Sequence, residues 1–266
     1  MTTPNSYLVC ATQRSGSTLL VESLASTGVA GRPKEFFQYF SSSSLAPQPR
    51  EWFAGVDDLE ILALLDPSEP GTVDSRDFET WRRDILETGR TDNGVWGGKL
   101  MWNQFPLLVA RTRIASGSSR GAVAELLGGD PLYVHVYRED VVPQAVSMWR
   151  AVQTRVWRDG HDSEFDAQRD AQAEYNARGI AHLAGILREQ ERQWRHWFAA
   201  EGIRPVEVGF RRLTRDSTAV TAEVLGLLGQ DPALAPPPPL KPQSNGRSRE
   251  WVERYRHDAE KNGYPR

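Results

Sequence analysis

Residues 7–24 read YLVCATQRSGSTLLVESL, and the order of its three parts sets the architecture. The short apolar run from Tyr7 to Thr12 has the length and composition of a buried strand. Thr18 to Thr27 carries Leu19, Leu20 and Leu24 on one side, which is helical spacing. Between them lies a polar turn centred on Gly16. Such a turn at a helix start gathers backbone N–H groups around one point and adds the positive end of the helix dipole, so it favours an anion. Triphosphate-binding loops take a glycine, four residues, then Gly-Lys-Ser/Thr. Here Ala11 stands at the first position and Ser17 replaces the lysine. The cation instead precedes the glycine as Arg14, whose planar fork grips two oxygens of a tetrahedral group.

Outward from this unit, further strands are expected at Val95 to Met101, Leu132 to Tyr137 and Pro205 to Val208, with helices between them. That alternation predicts an α/β fold with a central, mainly parallel sheet flanked by helices. The longest helical pattern runs from Asp170 to Gly202, with Ile180, Leu183, Ala184 and Leu187 on one face and Gly202 as a stop. SSSSLAPQPR from Ser41 and GQDPALAPPPPLKPQSNGRS from Gly229 read as loops, because clustered proline and serine oppose both helix and strand. The chain is expected to be a single domain, 1–266. Its proline-rich segment near 232–243 leads to a C-terminal helix, Arg247 to Asn262, that packs on the body.

With 39% hydrophobic residues over 266 positions, the chain can bury a full core. Lys and Arg number 32 against 35 Asp and Glu, so no global charge favours nucleic acid or an anionic membrane, and any anion site must be local. Cys10 is the lone cysteine, which excludes an internal disulfide and suits a reducing compartment. The apolar runs are too short for membrane insertion, and the expected location is the cytoplasm.

A second strand-to-helix unit, LYVHVYREDVVPQAVSMWRA, places Arg138 at the strand end and Ser147 nine residues later. Pro143 falls in the first turn of that helix, where it is tolerated. Two strand ends, each with an arginine, suggest a ligand with two separated anionic groups across the carboxyl edge of the sheet.

The two motifs together resemble the sulfotransferase family that uses 3′-phosphoadenosine 5′-phosphosulfate (PAPS). RSGST resembles the loop for the 5′-phosphosulfate, which assigns Arg14, Ser15, Gly16, Ser17 and Thr18 to the donor. Arg138 with Ser147 resembles the 3′-phosphate site. TGVAG, EFFQY, PQPREWF, NGVWGGKLMWNQ, LGQDP and EWVERYR extend the likeness to the bacterial members that sulfate trehalose, over nearly the whole chain. The resemblance implies a P-loop-like nucleotide-binding fold, a homodimer, PAPS as donor without a metal, and trehalose as acceptor. The product would be trehalose 2-sulfate, a sulfolipid precursor. Arg14 would stabilise charge moving onto the leaving phosphate.

A sugar hydroxyl needs a base, because an alcohol is a poor nucleophile while it keeps its proton. EFFQY supplies Glu35, the implied general base, and His135 is the next side chain to consider. A pyranose has apolar faces and hydroxyl edges, so aromatic and amide side chains suit it. The resemblance lines the acceptor pocket with Gln13, Glu35, Phe36, Phe37, Gln38, Tyr39, Pro47 and Trp52. From pattern alone Trp52 fits a helix core equally well, and Lys99 reads as a strand-end lysine, either solvated or facing the donor. Two other functions share some of these features. A nucleotide kinase would need the missing Gly-Lys-Ser/Thr and magnesium ligands; a non-catalytic nucleotide-binding protein would keep both arginines and need no Glu35.

Overall fold

The computed structural model describes residues 4–40, 42–112, 118–157, 164–237 and 246–266. Four strands, β1 (Ser6–Ala11), β2 (Trp96–Met101), β3 (Leu132–Tyr137) and β4 (Val206–Gly209), form a parallel sheet in the order β2-β1-β3-β4. The helices, in chain order, are α1 (Ser17–Ser26), α2 (Leu59–Ala63), α3 (Phe78–Thr88), α4 (Phe105–Arg111), α5 (Ser119–Leu127) and α6 (Val141–Thr154). They continue with α7 (Glu164–Gln172), α8 (Ala177–Ala200), α9 (Phe210–Arg215), α10 (Ser217–Leu227) and α11 (Gly246–Asn262).

Every residue of β1 is buried, as expected for a parallel strand covered on both faces. Tyr7, Val9 and Ala11 pack with Leu20 and Leu24 of α1 and Val220 and Val224 of α10. Leu8 and Cys10 face the other layer, where Trp194, Trp197 and Phe198 of α8 join them. A third cluster unites α6, α8 and α11 through Trp149, Leu183, Leu187, Trp251 and Tyr255. The C-terminal helix therefore shares a core with the central helices. The last part of the proline-rich segment, 238–245, lies outside the described residues.

The expected helix from Asp170 to Gly202 is two helices. Asn176 caps α8, its side chain accepting from the Gly179 N–H, and α7 ends at Gln172. The break is held from outside, because Trp149 Nε1 donates to the Glu174 carbonyl at 2.8 Å and Gln153 bonds both backbone groups of Glu174. Gly202 follows two residues past α8 at φ 63°, the left-handed conformation that ends helices. Among the described residues, no helix is long and apolar enough to cross a membrane.

From β1 the chain runs out to β2 and returns on the other side of β1 as β3. The loops after β1 and β3 therefore flank the switch point at the carboxyl edge, where open α/β sheets hold ligands.

Candidate active site

The turn after β1 is shaped by two left-handed residues, Arg14 at φ 61° and Gly16 at φ 93°. Gly16 is the N-cap of α1, and a Cβ there would lie 2.7 Å from the Phe210 ring, so only glycine fits. Gln144 of α6 fixes the turn from below, donating to Thr12 Oγ1 at 2.9 Å and to the Gln13 carbonyl at 2.6 Å. Ser15 Oγ and Gln13 Oε1 are buried with no hydrogen-bond partner among the described residues. Buried polar groups without partners are costly: the Ser15 hydroxyl can donate, and beside a helix N-terminus it suits an oxyanion, whereas Gln13 Oε1 only accepts and suits a ligand hydroxyl.

Arg14, Arg138 and Ser147 come together at the carboxyl edge of the sheet. Arg14 Nε donates to Ser147 Oγ at 2.8 Å and Nη1 to the Trp157 carbonyl at 2.5 Å. Arg138 Nη1 donates to the Arg14 carbonyl at 3.2 Å, and its guanidinium lies 4.2 Å over the Phe210 ring. The cause is sheet order, since β1 and β3 are neighbours and their carboxyl ends share one edge. Burial, and then the positive charge of Arg14, pull the Arg138 pKa down to about 10. The nearby carboxylates are engaged elsewhere: Asp140 caps α6 and pairs with Arg256, and Glu139 accepts from the Arg211 N–H. Two crowded guanidiniums relieved by an anion are what a phosphate site requires.

Glu35 reaches this edge because residues 31–35 run beside β2. Gly31, at φ 72°, lies so close that a Cβ would stand 2.5 Å from the Gly97 nitrogen. Lys34 bridges Gly98 in parallel fashion, and the Lys99 N–H donates to the Lys34 carbonyl at 3.0 Å. Glu35 Oε1 then meets Lys99 Nζ at 2.6 Å, and Oε2 accepts from Gln104 Nε2 at 3.3 Å. Lys99 Nζ also donates to Thr18 Oγ1 at 3.2 Å, which connects the carboxylate to the first turn of α1. Lys99 is buried in mid-strand, not solvated at a strand end.

The remaining acceptor candidates divide. Gln13 Nε2 donates to Asn103 Oδ1 at 2.6 Å, so Gln13 and Glu35 are anchored on the consecutive amides Asn103 and Gln104. Phe36 stacks on Trp96 and Phe37 meets Trp81 edge-on, which turns both rings toward the core. Gln38 and Pro47 are half-buried, and Tyr39 is exposed. Trp52 lies in the cluster with α6 and α8, its carbonyl accepting from His182 Nε2. Asn103, Gln104 and Gln144 escaped the sequence reading. The visible signal was the amide pair in MWNQ, directly after an apolar strand.

His135 is excluded as a base at this edge. It is fully buried in β3, with Nε2 3.2 Å from Glu191 and Nδ1 3.2 Å from Glu207. Burial pulls its pKa down, but the two glutamates outweigh that and raise it above the usual imidazole value. Among the described residues, no group of three or more His, Cys, Asp or Glu could hold a metal ion.

An anion turn, paired arginines and a held carboxylate thus meet at one sheet edge, an arrangement suited to moving an anionic group onto an acceptor. The Stf0 sulphotransferase family model matches residues 6–258, and the chain belongs to that family of transferases. A trehalose 2-sulfotransferase of Mycobacterium tuberculosis is 57% identical over 263 residues, 97% of each chain. One of Mycolicibacterium smegmatis is 55% identical over 266 residues, 98% of each chain. Among solved structures, a sulfotransferase from Alicyclobacillus acidocaldarius aligns over 98% of this chain and 94% of its own, at 15% identity and a TM-score of 0.47.

Proposed function

We propose that this chain transfers the sulfuryl group of PAPS to the 2-hydroxyl of trehalose, giving trehalose 2-sulfate and adenosine 3′,5′-bisphosphate. The observation that carries this reading is the Glu35 carboxylate, held at the carboxyl edge one side chain away from the anion turn. In the reaction the trehalose oxygen bonds to sulfur, the bond from sulfur to the donor's phosphate oxygen breaks, and Glu35 takes the hydroxyl proton. The N–H groups and hydroxyls of residues 15–18 receive the 5′-phosphosulfate. Arg138, Ser147 and Arg14 hold phosphate charge, and Arg14 stabilises the charge that grows on the leaving group. Gln13, Gln38 and Tyr39 supply the polar and aromatic contacts for the disaccharide, with Phe36, Phe37, Pro47 and Trp52 shaping the wall behind them. The high identity to two enzymes named for trehalose supports that acceptor.

This reading takes residues 1–266 as one sulfotransferase domain that works as a homodimer without a metal. It also places the protein in the cytoplasm, consistent with its lone buried Cys10. The test is mass spectrometry of reactions containing PAPS and a panel of disaccharides. Sulfated trehalose as the dominant product is expected. Sulfation of another sugar with trehalose unmodified would overturn the acceptor, and phosphorylation from ATP with magnesium would overturn the reaction class.

A further inference from the structure

A lysine in a strand buried at every position is an expensive choice, because its charge must be taken out of water and an apolar residue of similar length would avoid that cost. Lys99 is such a residue, 3% exposed, opposite Val9 in the central strand. Its ammonium has three N–H donors. One goes to Glu35 Oε1 and one to Thr18 Oγ1. We propose that Lys99 is a positioning residue for sulfuryl transfer, its ammonium holding the Glu35 carboxylate at a fixed distance from the donor loop. This rests on the reading of Glu35 as the general base.

The segment that carries Glu35 is gripped twice by the same residue. The Lys99 N–H binds the Lys34 carbonyl, and the Lys99 side chain binds the next residue's carboxylate. Gln104 completes the hold: it donates to Glu35 Oε2 while its own Oε1 accepts from the Met101 N–H at 3.1 Å. With both carboxylate oxygens engaged, rotation of the group is restricted, so its remaining lone pairs keep one direction. A general base needs that, since misplacement by about 1 Å costs roughly 10²-fold in rate.

Lys99→Met, Lys99→Arg, Glu35→Gln and the Glu35→Gln/Lys99→Met double variant test this. The measurements are turnover at saturating PAPS and trehalose, Kd for adenosine 3′,5′-bisphosphate, and Tm. Lys99→Met should lose about 10²-fold in turnover, with Kd within about 3-fold of wild type. Added to Glu35→Gln, it should cost less than about 3-fold more, because both changes remove one function. Lys99→Arg keeps the buried charge and should fold normally, yet turn over at least about 10-fold more slowly because its planar fork displaces the carboxylate. A structural lysine would instead cost the same factor with and without Glu35. That multiplicative result, or near wild-type turnover by Lys99→Met or Lys99→Arg, would overturn the proposal. Wild-type turnover by Glu35→Gln would overturn the base assignment and this proposal with it. A slow Glu35→Gln beside a fast Lys99→Met would overturn the proposal alone.

Discussion

Replacing Arg138 with methionine separates an arginine kept for an anion from one kept for the fold. In the protein without ligand, Arg138 is held under strain: burial and the Arg14 charge lower its pKa from the ordinary guanidinium value to about 10. At about 1.4 kcal/mol per unit, that is at most about 3.5 kcal/mol of unfavourable charge energy, less whatever water screens. Against it stand the hydrogen bond to the Arg14 carbonyl, worth about 1.5 kcal/mol, and the contact with the Phe210 ring, worth about 1 kcal/mol. The sum leaves Arg138→Met about as stable as wild type or stabler by up to about 1 kcal/mol, a Tm rise of no more than about 4 °C. Binding behaves oppositely. Loss of charge-assisted contacts to a phosphate costs about 2–4 kcal/mol, so Kd for adenosine 3′,5′-bisphosphate should rise about 30- to 1000-fold.

Calorimetric titration at fixed salt gives the Kd, and a melt of the same preparation gives the Tm. Weak binding with an unchanged or higher Tm is the signature of a site held charged for its ligand. A Tm lower by more than about 4 °C with unchanged affinity would refute the reasoning and make Arg138 a brace for the turn after β1.

Gly16→Ala combines a left-handed backbone with a Cβ 2.7 Å from Phe210, so it should cost about 1–3 kcal/mol in urea unfolding and abolish bisphosphate binding. Asn176→Ala removes the α8 cap and should lower stability by about 1 kcal/mol, read as a Tm drop of about 2–4 °C, with turnover at saturating substrates unchanged. His135 has a raised pKa, so its contribution is complete below the unfolded value of 6.5 and fades as pH rises through the folded one. Glu207 is lowered by its bond to His135, so its contribution holds above 4.5 and fails as pH falls through its folded value. Unfolding wild type and His135→Gln in urea should therefore show a larger stability gap at about pH 6 than at about pH 9, and a gap independent of pH would contradict the pairing.

The strands were legible because a parallel sheet buried on both faces leaves short apolar runs, and β2 and β3 fall within a residue of their expected bounds. The anion turn was legible because Gly16 is needed for its backbone, whatever surrounds it. Contacts set by distant chain were not. Asn176 in AEYN is a residue that starts helices, but an apolar pattern running past it hides the break, which Trp149 and Gln153 also hold by binding Glu174 from another helix. That Arg14 and Arg138 share the carboxyl edge was legible from their two strand ends; their direct contact was not, because it depends on β1 and β3 being neighbours. The packing of Phe36 and Phe37 was not legible, because it depends on Trp96 of β2 and Trp81 of α3, which lie far along the chain. Of the two readings of Lys99 the solvated one fails, because Lys99 lies buried in mid-strand, covered in part by segment 31–35 and with its Nζ on Thr18 Oγ1.

That coverage changes what a Glu35 variant means. A glutamate in an open loop could be replaced by glutamine with no effect on folding, and a lower Tm would then mark a structural residue. Glu35 is instead the carboxylate partner of a buried ammonium, so glutamine leaves the Lys99 charge without compensation and should lower Tm even if Glu35 acts only as a base. Stability alone therefore cannot separate the two roles. Removing the ammonium as well can, because Lys99→Met in the Glu35→Gln background deletes the stranded charge and should recover much of the lost Tm while turnover stays low. Recovered folding without recovered turnover assigns the chemistry to the carboxylate and the stability loss to the charge it had been neutralising.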